Sequence, residues 1–487
     1  MHTYQYLKKN IHLCILAFAL LLQIALIVCR LVGTPSYGDW DIFQYVGWAC
    51  SHGQSMYADC WDNKGPLVFL FNAIGMSGGE WAGVLFFGIA NCLFTLCLYG
   101  AFARRYGCWR AAAAALFGSV ALTYVDGGNT GNTAETVAVL LTGAGLLLFY
   151  RFDLRNPGCT AFWQGVLAAS LFFAKATYVG LGFFYICTLF FFRDKSSGLP
   201  VRALSRFALG GLCVVLVVLF VFGTSKHLTA MYDGSIYYNV FEYHSNSSFW
   251  SNAGMNIYVT WPTLTIPAIF LIVLVTINIF GGGENRLSVA LIFWFLFEML
   301  VSAKVDTFFL HYLAIAAVVV IPMFLEFEHQ SYLSPRMAGA FGIVMSFIAL
   351  YWLSFISRVQ IHNLISTSSL RLPAQYACEN GLKGKRAAMF GMAGVCRVAR
   401  LAEMRSANTY VVGVGHYVQT DSASRRKIIV QDAIRALNCG STDCLVSEGA
   451  LEHLPWADLP EWKKATDGWD VMDSVEGIWF YRRKKGH

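Results

Sequence analysis

The chain has 487 residues, of which 56% are hydrophobic and only 13% are charged, and its mean hydropathy is +0.52. An ordinary soluble domain has about 25% charged residues, so this composition disfavours a soluble enzyme, a disordered chain or a coiled coil. The net charge of +7 is spread without the dense Lys and Arg clusters that nucleic-acid binding requires. The composition therefore predicts a polytopic membrane protein with no nucleic-acid partner.

The density of charge changes near residue 357. Residues 1–357 carry 18 Lys and Arg and 16 Asp and Glu, whereas the 130 residues from 358 to 487 carry 18 and 13. This difference predicts a transmembrane domain over 1–357 and a soluble domain over 358–487. In the second part, a helix near 424–437 and the apolar runs TYVVGVG, DCLVS and EGIWFYRR favour a small α/β fold.

About eleven apolar segments are candidates for membrane spans, each of which needs about 20 apolar residues. The predicted spans are 11–33, 81–103, 111–125, 134–150, 161–174, 176–192, 207–223, 257–280, 287–303, 307–325 and 338–357. Residues 66–78 are apolar but too few to cross, and we expect a buried or interfacial segment there. The first stretch lacks a small-x-small cleavage site, so we interpret it as a membrane helix rather than a signal peptide.

Loop cations predict the orientation in the membrane. With the N-terminus in the cytoplasm, thirteen Lys and Arg fall on the inner side and five on the outer side. An odd number of helices then places the C-terminal domain outside, on the periplasmic or extracellular side of the membrane. Six cysteines would share that side, where Cys50–Cys60 and Cys439–Cys444 are the local candidates for disulfides. Free thiols are the alternative.

Acidic residues and a lysine gather among aromatic residues in the first outer loop, residues 37–66. They are Asp39, Asp41, Asp59, Asp62 and Lys64. Acids set among aromatic rings predict a partly buried pocket at the membrane surface. Such a pocket can bind a sugar by stacking and can raise the pKa of a carboxylate.

Further polar groups reach the same predicted outer face. Glu135 stands at the start of an apolar run, where either a cavity-facing acid or ordinary helix capping accounts for it. Lys175 lies between two apolar runs, and His311 and Tyr312 belong to a late polar cluster. Each of these groups alone is more often a snorkelling or hydrogen-bonded residue than a catalyst. Their convergence on one side of the membrane indicates a functional site.

These motifs resemble the polytopic GT-C superfamily of glycosyltransferases. Its bacterial members similar to dolichyl-phosphate-mannose protein mannosyltransferases and to the lipid A aminoarabinose transferase have D-x-x-x-F and then G-x-x-x-Y-x-D-x-x-D-H-K-G-P in the first loop. The matching positions are Asp39, Phe43, Gly53, Tyr57, Asp59, Asp62, Lys64, Gly65 and Pro66. Glu135 and the His311–Tyr312 pair match two further family features. Trp40 and Asn63 depart from the pattern, since the family often has an acid or Ser and a His there.

The resemblance implies an inverting transfer of a monosaccharide from a polyprenyl phosphate, such as undecaprenyl phosphate, to an acceptor outside the membrane. The acceptor is a glycan such as O-antigen or another lipopolysaccharide part, a lipid or a protein. In this reading Asp39 is the preferred general base, Asp41 is the second candidate, and Glu135 is a supporting acid. Lys64 is the preferred phosphate partner. The rest of the expected donor site comprises Tyr57, Asp59, Asp62, Lys175, His311 and Tyr312. No cofactor is certain, and the use of a divalent metal stays open.

Two other classes of protein also combine many helices with buried ions. A transporter or flippase of lipid-linked sugars would favour polar sites near the midplane and internal repeats, and the sequence shows neither. A polysaccharide polymerase or ligase with a diphosphate-linked donor would be expected to carry cations in a large late outer loop. The acidic first loop favours the monosaccharide donor.

Overall fold

A computed structural model describes most of the chain, in the ranges 2–32, 38–125, 133–156, 158–191, 200–225, 227–242, 269, 286–302, 314–329, 335–365, 372–410, 412–420 and 422–484. The chain divides into two compact units. The first, which we call the helical unit, comprises Met1–Arg30, Phe86–Val218 and Ser247–His362. The second, the mixed unit, comprises Leu31–Leu85, Leu219–Asn246 and Asn363–His487. The mixed unit therefore groups the first loop with the C-terminal residues.

Helices dominate the chain as far as residue 365. They are α1 (His2–Val32), α2 (Asp39–Ser51), α3 (Pro66–Met76), α4 (Glu80–Tyr106), α5 (Cys108–Val125), α6 (Ala134–Leu148), α7 (Ala161–Ala174), α8 (Gly180–Phe191), α9 (Val201–Thr224), α10 (Leu228–Tyr232), α11 (Arg286–Ser302), α12 (Ala314–His329) and α13 (Pro335–Ile365). Two π-helical segments, Phe149–Asp153 and Asp233–Glu242, follow α6 and α10 directly.

Nine of the eleven predicted spans fall on described helices. Of the other two, 307–325 is described only from residue 314 onward, within α12, and 257–280 is described only at residue 269. Within the described ranges, four stretches are long and apolar enough to cross a membrane. They are Asn10–Val32, Glu80–Tyr106, Ala134–Asp153 and Val201–Thr224. Eleven spans therefore stay a prediction. The apolar segment 66–78 contains the short helix α3 (Pro66–Met76), which is too short to cross a membrane, as its length predicted.

The C-terminal part carries the small sheet that the sequence predicted. Its helices are α14 (Leu372–Glu379), α15 (Ala393–Leu401), α16 (Gly413–Gln419), α17 (Ala423–Asn438) and α18 (Pro460–Thr466). Its strands are β1 (Arg386–Phe390), β2 (Arg405–Ser406), β3 (Cys444–Glu448), β4 (Trp469–Val475) and β5 (Ile478–Arg483). The strand order is β2-β1-β3-β5-β4. β1 pairs in parallel with β2 and β3, whereas β5 pairs antiparallel with β3 and β4.

Three of the four local predictions in this part are confirmed, and one is wrong. The helix near 424–437 is α17, and the runs DCLVS and EGIWFYRR are β3 and β5. The run TYVVGVG does not continue the sheet but enters α16 at Gly413. The reason lies in Asn408, whose side chain accepts a hydrogen bond from the Met389 N–H (2.7 Å) and donates to the Met389 carbonyl (2.9 Å). These bonds satisfy the backbone of β1 where a longer β2 would have paired.

All fourteen cysteines lie among the described residues, and all are free thiols. The disulfide alternative for Cys50–Cys60 and Cys439–Cys444 is therefore not what the structure records. Burial raises the pKa of Cys50 to about 12, and that of Cys60 well above its ordinary value. Both thiols consequently stay protonated near neutral pH.

An ion pair between the half-buried Arg105 and the buried Glu326 joins α4 to α12 in the helical unit. Arg105 donates from Nη2 to Oε1 of Glu326 (2.6 Å) and from Nε to Oε2 (2.9 Å). The Tyr106 hydroxyl donates to the same Oε2 at 2.6 Å. Arg105 is one of the thirteen inner-side cations from which the orientation was predicted. The structure shows that it also pairs with Glu326 of α12.

Helices α7 and α9 approach closely at two glycines. A Cβ on Gly165 would overlap the carbonyl oxygen of Phe207, and a Cβ on Gly210 would overlap that of Phe162. Between helices in lipid, close van der Waals packing at small residues replaces the hydrophobic driving force. This crossing therefore requires glycine at both positions.

We expect Gly165→Ala to lower the thermal stability of the purified protein, although alanine is the better helix former by about 1 kcal/mol. Gly223→Ala, on the partner helix α9, is the matched control because nothing lies within 4 Å of its Cβ position. Unfolding midpoints in detergent would be compared. Equal midpoints for the two variants would contradict the close crossing.

Candidate active site

The first loop folds as two short helices, α2 and α3, that pack on each other. A Cβ on Gly47 of α2 would lie 2.6 Å from the backbone carbonyl carbon of Asn72 in α3. Asp39 and Asp41 occupy the first turn of α2, where the helix dipole favours negative charge. Pro66 occupies the first turn of α3, where its missing N–H costs nothing.

The turn between these helices is shaped by the residues of the recognised motif. Gly53 has φ +88°, and Tyr57, although not a glycine, has φ +64°. Tyr57 is held there because its hydroxyl donates to the carbonyl oxygen of Lys64 at 2.6 Å and its ring packs edge-on against Phe69. Burial raises the pKa of this hydroxyl well above its ordinary value, so it stays a donor. A non-glycine residue in the left-handed region needs such support.

Asp59 and Asp62 accept backbone hydrogen bonds within the same turn. Asp59 Oδ2 accepts from the Ser55 N–H at 2.7 Å, and Asp62 Oδ1 accepts from the Lys64 N–H at 3.0 Å. Asp59 is exposed and Asp62 is buried. Both carboxylates therefore fix the path of the chain that leads to Lys64.

The two acids of α2 have opposite environments. Asp39 is exposed. Asp41 is 1% exposed and is bound by the guanidinium of Arg397, which donates from Nε to Oδ1 (2.8 Å) and from Nη2 to Oδ2 (2.7 Å). Arg400 adds a second cation, with Nη2 3.9 Å from Oδ1 of Asp41. A buried carboxylate with this bidentate partner is an anchor for α2.

Both arginines come from α15, in the C-terminal part of the mixed unit. They are three residues apart, so they lie on one face of that helix. Arg400 also reaches Glu80, with Nη2 3.4 Å from Oε1. This face of α15 thereby fixes α2 to the C-terminal part of the same unit.

Lys64 lies directly before α3. Its Nζ donates to Oδ1 of Asn63 at 2.7 Å and lies 5.8 Å from the centre of the Phe43 ring. Asn63 stands at the position where the family often has a His, and in this chain its amide orients the lysine. Asn63 itself is buried, and its carbonyl oxygen accepts from Asn239.

A third buried arginine, Arg425 of α17, holds the segment Asp233–Glu242 in place. It donates to Asp233 at 2.5 and 2.8 Å and to Glu242 at 2.6 Å. Its guanidinium also lies 5.5 Å from the ring centre of Trp61, which in turn donates to Asp233 at 3.3 Å. The first loop, the 233–242 segment and α17 therefore share one network within the mixed unit.

In the helical unit, Glu135 and Lys175 are brought together as a buried ion pair. Lys175 Nζ donates to Oε1 of Glu135 at 2.8 Å, and the Tyr178 hydroxyl donates to the same oxygen at 2.8 Å. Glu135 is 3% exposed and Lys175 is 8% exposed. Thr133 is the N-cap of α6, with its hydroxyl accepting from the Thr136 N–H at 3.4 Å. Glu135 therefore lies in the first turn of a capped helix and also has an ionic partner.

The remaining predictions fall outside these two clusters. His311 and Tyr312 lie outside the described residues. In the part of the chain that the structure describes, no group of three or more His, Cys, Asp and Glu side chains could hold a metal ion.

Sequence reasoning missed the residues that hold Asp41, Glu135 and the 233–242 segment in place. The spacing of Arg397 and Arg400 in an apolar helix was a usable signal, since i, i+3 arginines share a face that must find anions. Tyr178, three residues after Lys175, was a local signal of the same kind. Arg425 gave no local signal, because its acidic partners Glu242 and Asp233 lie 183 and 192 residues earlier in the sequence.

We expect Arg397→Met to destabilise the protein by about 3–5 kcal/mol, because it leaves the buried Asp41 carboxylate without its main partner. The double variant Asp41→Leu/Arg397→Met should recover most of this loss. Lys383→Met is the matched control, since its pair with Glu403 is more than half exposed on both sides. Denaturation of the purified variants measures all three. A double variant no more stable than Arg397→Met would contradict the anchor.

Comparison with known proteins adds evidence at the level of fold. No family model and no curated protein matches the sequence. The structure is similar to crystal structures of ArnT from Cupriavidus metallidurans, bound to undecaprenyl phosphate (TM-score 0.64, 13% identity) and in the apo state (0.63, 12%). The first match covers 96% of this chain and 98% of the other, and the second covers 97% and 98%. The fold expected from the first-loop motif is thereby supported, and the chain has an ArnT-like fold over nearly its whole length.

Proposed function

We propose that the protein transfers a monosaccharide from a polyprenyl phosphate to an acceptor on the outer side of a bacterial inner membrane. The observation that carries this proposal is the likeness of fold over nearly the whole chain to ArnT, a crystal structure of which contains undecaprenyl phosphate. The first-loop motif supports it independently, because its residues build the turn that holds Lys64. Nucleotide sugars are cytoplasmic, so sugar chemistry on the outer face needs a donor that is soluble in the membrane.

The proposed reaction is a single inverting displacement at the anomeric carbon. The acceptor oxygen forms a bond to that carbon while the bond from the carbon to the phosphate oxygen breaks. The hydroxyl proton passes to a base, and the phosphate leaves with the bonding electrons. The protein must therefore supply a carboxylate for the proton and a cation for the leaving phosphate.

Asp39 is the proposed base, and Asp41 is its support. An exposed carboxylate can meet a hydroxyl, whereas the Asp41 carboxylate is held by Arg397 and buried. The anchor on Asp41 would fix the first turn of α2 and so orient Asp39, two residues earlier. This assignment separates the two acids that the sequence left as first and second candidates.

Lys64 is the proposed partner of the donor phosphate. Its main-chain position is fixed by Asp62 and Tyr57, and its Nζ is oriented by the Asn63 amide. A lysine ammonium is a compact point charge suited to a phosphate oxygen. Tyr57, Asp59 and Asp62 then act in the donor site by shaping it.

Glu135 remains the proposed supporting acid and Lys175 a proposed donor contact, and within the helical unit the two side chains form a preformed ionic pair. With the Tyr178 hydroxyl also on Glu135, a donor or acceptor group could exchange into this network without leaving a buried charge unpaired. His311 and Tyr312 remain proposed donor contacts on the strength of the family motif. The acceptor remains a surface glycan, a lipid or a protein, with O-antigen as one example.

We expect Asp39→Asn to lower the transfer rate from a polyprenyl-phosphate sugar by about 10²–10⁴-fold, the usual contribution of a general base. Its thermal stability should be unchanged, because the side chain is exposed. Asp41→Asn should instead lower stability, since it weakens the bond to Arg397. Asp467→Asn, an exposed acid on the C-terminal part, is the control. Full activity of folded Asp39→Asn would disprove the base assignment.

Lys64→Ala should weaken donor binding by roughly ten- to a hundredfold, the equivalent of about 1.5–3 kcal/mol for a hydrogen bond to a charged group. Lys64→Arg should restore part of the affinity, because the charge returns with a different shape. Binding of undecaprenyl phosphate to the purified variants measures the effect. Lys383→Ala serves as the control, and wild-type affinity in Lys64→Ala would remove the phosphate role.

A further inference from the structure

A cavity of about 400 Å³ lies in the C-terminal part of the mixed unit, well away in sequence from the first loop. It opens between the 3-10 turn Leu451–His453, helix α18 and the hairpin of β4 and β5. The lining residues that matter are Glu452, Asp458, Lys463, Thr466, Trp479 and Tyr481. Its volume falls in the range of about 300–1,000 Å³ that is usual for small-molecule sites.

One wall of the cavity is aromatic and rigid. Trp479 and Tyr481 are two residues apart in β5, so their side chains lie on the same face of the strand. Their ring centres are 6.4 Å apart, and the angle between the ring planes is 22°. Tyr481 is 4% exposed, and its hydroxyl accepts a hydrogen bond from the Leu451 N–H at 3.2 Å. Trp479 is only half-buried. The wall therefore presents an indole on a fixed support.

The rim of the cavity is polar and carries more negative than positive charge. Glu452 and Asp458 are exposed acids, and Lys463 places its Nζ 3.5 Å from Oδ1 of Asp458. The Thr466 hydroxyl donates to the carbonyl oxygen of Trp462 or Lys463 within its own helix. The lysine thus offsets Asp458, and Glu452 gives the lining a net charge of about −1.

This combination selects among classes of ligand. A sugar ring offers a C–H face that packs on an indole and hydroxyl groups that donate to carboxylates. A phosphate or carboxylate ligand would meet the charge of Glu452, and a hydrocarbon chain would desolvate the acids without pairing them. We propose that this cavity binds a neutral or amine-bearing sugar residue of a glycan.

The proposal rests on the proposed function in one respect, because a transferase with a glycan acceptor has a use for a second saccharide site. Binding itself does not depend on transfer, so the two can fail separately. If Asp39→Asn lowers the transfer activity, sugar binding in this cavity should stay unchanged. A protein without any transferase activity could still bind the sugar there.

The test uses the full-length protein in nanodiscs and three soluble trisaccharide probes. They are chitotriose, which is neutral, its de-N-acetylated form, which carries amines, and trigalacturonic acid. Saturation-transfer NMR and a competition titration would give the affinities. We expect saturable binding of the first two, with the amine form tighter at low salt, and markedly weaker binding of the acid.

Two variants locate the binding. Trp479→Ala should weaken chitotriose binding by roughly five- to tenfold, and Trp479→Phe should restore part of it. Glu452→Gln should remove the preference for the amine form and leave chitotriose binding unchanged. Tyr376→Ala is the matched control, because Tyr376 is half-buried and packs on Phe480, which points to the opposite face of β5.

Three results would overturn the proposal. The first is no binding of either chitotriose or its amine form to the wild type at millimolar concentration. The second is unchanged binding in Trp479→Ala, whose folding would be checked by its unfolding midpoint. The third is tighter binding of the acid than of the amine form, which would assign the cavity to another class of ligand.

Discussion

The buried bond between Asp41 and Arg397 is the interaction on which the mixed unit depends. It joins residues 356 positions apart, with two hydrogen bonds at 2.7 and 2.8 Å and almost no exposure to solvent. Taking these charges out of water costs several kcal/mol, which only good geometry offsets, so neither partner can be lost alone. Because Asp41 is in the first turn of α2, this bond also fixes the start of the helix that carries Asp39.

The same rule governs the other charges within each unit. Arg425 is matched by Asp233 and Glu242, Lys175 by Glu135, and Arg105 by Glu326. In each case an arginine or lysine that would be costly in an apolar setting is paired with an acid from a distant part of the sequence. These paired charges are therefore part of the packing of each unit. Asp39 differs, because its carboxylate is exposed.

Sequence patterns predicted local elements well and partners poorly. Apolar length placed most of the described helices of residues 1–365, but not α2, which lies in the segment that the sequence predicted as a loop. The run TYVVGVG misled because the side chain of Asn408, rather than a strand, satisfies the backbone of β1. The sequence preferred Asp39 over Asp41 as the base only through the family motif, since the arginines that bury Asp41 lie in a helix more than 350 residues later.

The sequence by itself determined the membrane character, the two charge regimes and the first-loop motif, because these depend on composition and short spacing. The tertiary structure alone decided which acid is buried and which is exposed, and that Glu135 and Lys175 form a pair. It also grouped α15 and α17 with the first loop in one compact unit. The physical reason is that the environment of an ionisable group is set by neighbours in space, which a single sequence does not record.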